Sequence, residues 1–97
     1  MKTKQIYEEI ITILKKHGVK KIAIFGSYAR NEQTPDSDID IIAEFSDGIS
    51  LLELVGIEQE LKEALEQNVD LLTENAISPY LIDSIKKEMK VIYHGER

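Results

Sequence analysis

The run Asp38-Ile39-Asp40-Ile41-Ile42 leaves its backbone little choice. Acidic and β-branched residues alternate, which suits a strand with one face in a core and the other in solvent. A helix would scatter both sets around its surface. On a strand, Asp38 and Asp40 share a face, where two carboxylates repel each other and gain nothing by packing. Upstream, Ile22-Ala23-Ile24-Phe25 reads as a buried strand closed by Gly26-Ser27, with ten residues between Ser27 and Asp38. Gly26 permits a sharp turn and the close approach of a ligand. Ser27 is expected to open a short helix, whose free N–H groups and own hydroxyl can hold an anion. Arg30, one turn later, offers a forked pair of donors to a phosphate. A Gly-Ser turn alone is an ordinary strand-to-helix connection, and it is the aspartate pair that gives it chemical meaning.

Magnesium takes oxygen ligands, often one or two carboxylates completed by phosphates and water. Paired ions about 3.5–4 Å apart clamp the attacking and leaving oxygens of an in-line displacement. Asp38 and Asp40 suit two such ions, with Gly26, Ser27 and Arg30 on the phosphates. A calcium loop is the competing reading of Asp36-x-Asp38-x-Asp40. It lacks the following glycine and distal glutamate of an EF-hand, and Ile41-Ile42 continues a strand. A third carboxylate is expected from Asp70, in Val69-Asp70-Leu71-Leu72, its side chain directed opposite to Val69 and Leu71. If that strand lies beside the second, Asp70 joins the pair, binds the catalytic ion and takes the proton from an attacking hydroxyl. Otherwise it faces solvent at a strand end. His17 and His94 have no partner in a recognisable triad and are expected at the surface. Tyr28, Tyr80 and Tyr93 read as packing or rim aromatics.

Ninety-seven residues fit one α/β domain, read as spanning 1–97. A helix over 3–17, stopped by Gly18, precedes a strand over 20–25. A short helix from Ser27 and a loop over 31–37 lead to a strand over 38–45. Ser50 and Glu53 form a capping-box spacing ahead of a helix to about Gln67, with Leu51, Leu54, Val55, Leu61 and Leu65 as its inward stripe. Strand 69–73, a helix opened by Ser78-Pro79 and running to Met89, and strand 91–93 complete an α-β-α-β-α-β-α-β order. A small mixed sheet packed with helices is expected. Net charge is −6, so a long nucleic acid or an anionic membrane is a poor partner. The absence of cysteine excludes disulfides and thiolate chemistry. No run approaches the roughly 20 apolar residues of a membrane span. The N-terminus has no apolar signal core, so a soluble cytoplasmic protein is expected.

The combined pattern, Gly26-Ser27, ten residues, Asp38-Ile39-Asp40 and a later Asp70, resembles the minimal nucleotidyltransferases of the DNA polymerase β-like superfamily. The resemblance covers nearly the whole chain. One departure is Asn31, where many members carry glycine. The resemblance implies the palm fold of that superfamily and Mg²⁺-dependent transfer of AMP from ATP to a hydroxyl. Its compact prokaryotic members are antitoxins that adenylylate a tyrosine of a HEPN-domain RNase toxin, which implies a HEPN partner and a hetero-oligomer. Two other classes compete. A catalytically silent antitoxin would neutralise its partner by covering it, and a small-molecule nucleotidyltransferase would turn over with no protein acceptor.

Overall fold

The computed structural model describes residues 2–95. Helix α1 (Thr3–Lys15) buries Ile6, Ile10, Ile13 and Leu14, one stripe at helical spacing. It unwinds two residues earlier than the sequence suggests, in a turn that ends at Gly18 with φ +78°. Strand β1 (Val19–Phe25) pairs antiparallel with β2 (Ile39–Phe45) on one side and with β4 (Lys90–His94) on the other. Strand β3 (Val69–Leu72) lies parallel to β2, giving the sheet order β3-β2-β1-β4. The mixed sheet expected from the sequence is therefore present. Helix α2 (Leu51–Leu65) makes the crossover between the two parallel strands.

One face of the sheet carries Ile22, Ile24, Ile39, Ile41, Ala43, Val69 and Leu71, and these meet the apolar stripes of α1 and α2. On α2 that stripe is Ile57, Leu61 and Leu65, with Leu54 packed beside it. Leu51 and Val55 do not belong to it, being 75% and 54% exposed. The stripe is offset from the expected one because Ile57, Leu61 and Leu65 follow one another at four-residue steps. Leu51 and Val55 stand off that line.

Helix α3 (Pro79–Glu88) starts as expected, with Ser78 Oγ accepting from the N–H of Tyr80. It buries no side chain fully. Its C-terminal neighbour Met89 lines a small cleft with Ala23 and Ile42 on the second sheet face. Salt bridges from Lys86 to Glu74 and from Glu88 to Arg30 tie its last turn down. A short 3-10 turn, Glu74–Ala76, precedes it and was not foreseen.

The largest correction concerns residues 26–31. No helix forms after Ser27. The chain makes a single turn, with Arg30 N–H donating to Gly26 O, Asn31 N–H to Tyr28 O and Glu32 N–H to Ser27 O. The last two bonds, with Asn31 at φ +57°, are those of a Schellman closure. Asn31 occupies the left-handed position that glycine fills most cheaply and that asparagine tolerates. This accounts for the departure from the family pattern. Asn31→Val should cost about 1–2 kcal/mol by denaturant titration, while Asn31→Gly should leave stability within about 0.5 kcal/mol.

Candidate active site

The sheet register brings the carboxylates together. Asp40 on β2 faces Asp70 on β3 in the parallel pairing and Phe25, the last residue of β1, on its other side. Ile39, Ile41, Val69 and Leu71 are buried in the core, so strand alternation turns Asp40 and Asp70 onto the opposite face. The Asp70 carboxyl is near enough to act on that of Asp40 through its charge and by hydrogen bonding. Asp38 falls one residue before β2, not inside it. It is still near enough to act electrostatically on Asp40.

Asp40 is half-buried, while Asp38 and Asp70 are exposed. Partial burial, then the charge and hydrogen bond of Asp70, then the charge of Asp38, push the Asp40 carboxyl up to about 6. The Arg30 guanidinium pulls weakly the other way. Such a site, with charge gathered against its own repulsion, is one a cation relieves.

Gly26 sits against Asp40. Its φ is +73°, and a Cβ placed there would overlap Asp40 Oδ2. Glycine is thus required twice, once for the backbone and once for the carboxylate beside it. The turn's internal bonds use the N–H groups of Arg30, Asn31 and Glu32, which leaves those of Ser27, Tyr28 and Ala29 outside them. Ser27 therefore presents donors from a tight turn, and not from a helix end as expected. Arg30 is engaged: Nε donates to Glu32 at 2.8 Å and Nη1 to Glu88 at 3.2 Å. Both bridges are solvent-exposed and weak enough to exchange for a phosphate.

The residues fit magnesium chemically. They offer hard oxygen donors, a carboxylate whose charge is disfavoured until a cation arrives, and a backbone turn at Gly26 that comes so close to Asp40 that no side chain fits between them. Among the described residues, no three His, Cys, Asp or Glu side chains could by themselves hold an ion. Water and phosphate would complete the coordination, as magnesium usually arranges.

Tyr28 is buried, with its hydroxyl accepting from Gln67 Nε2, so it packs as expected. His17 is exposed and pairs with Glu60, and His94 is exposed. Sequence reasoning missed Gln67 and Glu88. Neither carries a local signal, since each looks like a polar residue at the end of a helix.

Residues 7–92 match the family model described as the nucleotidyltransferase domain. A candidate protein adenylyltransferase of Methanocaldococcus jannaschii is 56% identical over 88 residues, covering 91% of this chain and 95% of that protein. The protein adenylyltransferase MntA of Thermococcus cleftensis is 34% identical over 94 residues, covering 92% and 95%. Among solved structures, a toxin–antitoxin complex with AMP-PNP contains a chain that superposes with a TM-score of 0.83. It is 27% identical and covers 93% of this chain and 74% of that one. The structure of a candidate minimal nucleotidyltransferase superposes with a TM-score of 0.78 at 29% identity, covering 90% and 89%. Among the described residues no helix is long and apolar enough to cross a membrane. The family match spans nearly the whole sequence and relatives align over most of their own lengths, so this chain belongs to the nucleotidyltransferase domain family and is one of its minimal members.

Proposed function

We propose that this nucleotidyltransferase moves AMP from ATP onto a tyrosine of a HEPN-domain partner, and so serves as the antitoxin of a toxin–antitoxin pair. The observation that carries the reading is the register pairing of Asp40 with Asp70 beside Gly26. A pure binding module has no use for carboxylates held together against their repulsion. The relatives supply the substrate class: some are named protein adenylyltransferases, and one similar structure is a toxin–antitoxin complex with AMP-PNP.

In this mechanism the free N–H groups and hydroxyl of the Ser27 turn hold the triphosphate, with Gly26 letting that turn lie close against Asp40. Arg30 exchanges Glu88 for a phosphate oxygen. Asp38, Asp40 and Asp70 would hold magnesium, two ions in all, with phosphate and water completing the coordination. When bound, magnesium supplies neutralising charge for the phosphates and for the displaced group. Asp70 accepts the proton of the tyrosyl hydroxyl. The new bond joins that oxygen to the α-phosphorus, the α–β bridging bond breaks, and pyrophosphate leaves.

Incubating the protein with α-labelled ATP, Mg²⁺ and its HEPN partner should transfer label to a partner tyrosine. Asp38→Asn should reduce transfer by at least 10³-fold while still co-purifying with the partner. Undiminished labelling by Asp38→Asn would contradict the assignment. Protection from the toxin by an unlabelling mutant would instead favour neutralisation by binding alone.

A further inference from the structure

Three segments carry the site: the turn after β1, the residues leading into β2, and the start of β3. One side chain touches the first two and belongs to the third. Gln67 follows Glu66, whose φ of +51° ends α2 and swings the chain toward β3. The partly buried Gln67 amide donates one N–H to the hydroxyl of Tyr28 and another to the carbonyl of Ser37 at 2.8 Å. Tyr28 is the residue after Ser27, and Ser37 is the residue before Asp38.

The next residue continues the arrangement. The N–H of Ile39 donates to Asn68 O at 3.0 Å. Asp38 thus hangs between two anchors on residues 67 and 68, and Asp70 lies two positions further along the same segment. Because Asp38 precedes β2, the sheet ladder holds only the residue after it. The residue before it is held by Gln67.

We propose that Gln67 is a positioning residue that sets the phosphate-gripping turn against the carboxylates without touching substrate. The inference rests on the nucleotidyl-transfer reading above. Its expected signature is in kcat, because the turn retains its own internal bonds and still binds ATP, while a displacement near 1 Å between bound phosphates and carboxylates costs about 10²-fold in rate.

The test compares wild type with Gln67→Met, which keeps chain length and loses both donors, and with Tyr28→Phe, which removes one of the two acceptors. Gln67→Met should fold, lose about 10- to 100-fold in kcat, and keep its KM for ATP within about threefold. Tyr28→Phe should lose less than Gln67→Met. Gln67→Lys, whose ammonium supplies several donors at similar reach, should recover most of kcat. Mn²⁺ affinity in the presence of a non-hydrolysable ATP analogue, followed by electron paramagnetic resonance, should fall about 5- to 10-fold in Gln67→Met.

A folded Gln67→Met with kcat and Mn²⁺ affinity within twofold of wild type overturns the assignment, as does a loss carried wholly in KM. If Gln67→Met does not fold, Gln67→Asn, too short to reach both acceptors, is read against the same criteria. Should wild type bind Mn²⁺ and nucleotide yet transfer no AMP to any partner, the functional reading fails and the Mn²⁺ affinity alone decides the role of Gln67.

Discussion

Asp40→Asn should abolish nucleotidyl transfer and, at the same time, make the ligand-free protein more stable at pH 7. The ordinary aspartate value of 3.8 is raised to about 6 in the fold, chiefly by burial and by Asp70. The folded protein therefore holds this proton more tightly than the unfolded chain does. Asp40's contribution to stability is fully present below about pH 4 and is lost as pH rises through about 6. Unscreened, the shift corresponds to roughly 3 kcal/mol at neutral pH, and solvent access to the site reduces this to about 1–2 kcal/mol. Asparagine removes the charge and with it that cost.

For a domain of this size the gain should appear as a rise in Tm of roughly 4–10 °C at pH 7, shrinking toward zero near pH 4. Transfer should fall by at least 10³-fold in the same protein. Equal or lower stability of the mutant at pH 7 would show that Asp40 is not held against repulsion. Wild type should also bind divalent cation less tightly below about pH 6, because Asp40 must then release a proton first. Adding Mg²⁺ and nucleotide should reverse the stability order, since only the wild type gains from binding.

The second large effect is at Gly26, and a second glycine provides its control. Gly18 and Gly26 both have positive φ, +78° and +73°. Alanine at either position should cost about 1–2 kcal/mol for the left-handed backbone. They differ in what surrounds them. A Cβ at Gly18 meets nothing within 4 Å, whereas one at Gly26 runs into the Asp40 carboxylate. That clash is relieved by swinging the Asp40 side chain aside, which spares the fold and spoils the site. Gly18→Ala and Gly26→Ala should therefore show similar denaturation midpoints, while only Gly26→Ala loses transfer, by about 10²-fold or more. Equal activity in the two variants would remove Gly26 from the site.

The strands could be read over 20–25, where apolar residues run in succession, and over 38–45 and 69–73, where a two-residue period assigns each side chain a face; β2 and β3 each prove one residue shorter. The same alternation directed Asp70 away from the core before any neighbour was known. The expected helix at Ser27 failed for a different reason. Residues 27–30 would tolerate a helix, but Asn31 takes up a left-handed conformation and closes the turn after one round. Local preference does not disclose that choice. The inward assignment of Leu51 and Val55 failed similarly, because the sheet and α1 fix which stripe of α2 is buried.

Residue order along this chain settled chemistry that depends on neighbours within a few positions: which aspartates leave the core, where glycine must stand, and which helices are capped. Packing settled what depends on distance. β3 had to dock parallel to β2 before Asp70 could face Asp40, and the Gln67 amide found Tyr28 and Ser37 only once three separate segments had come together. The difference is physical: alternation and capping act through bonds a few residues long, whereas a charge pair or a bridging amide exists only where the folded sheet sets remote residues side by side.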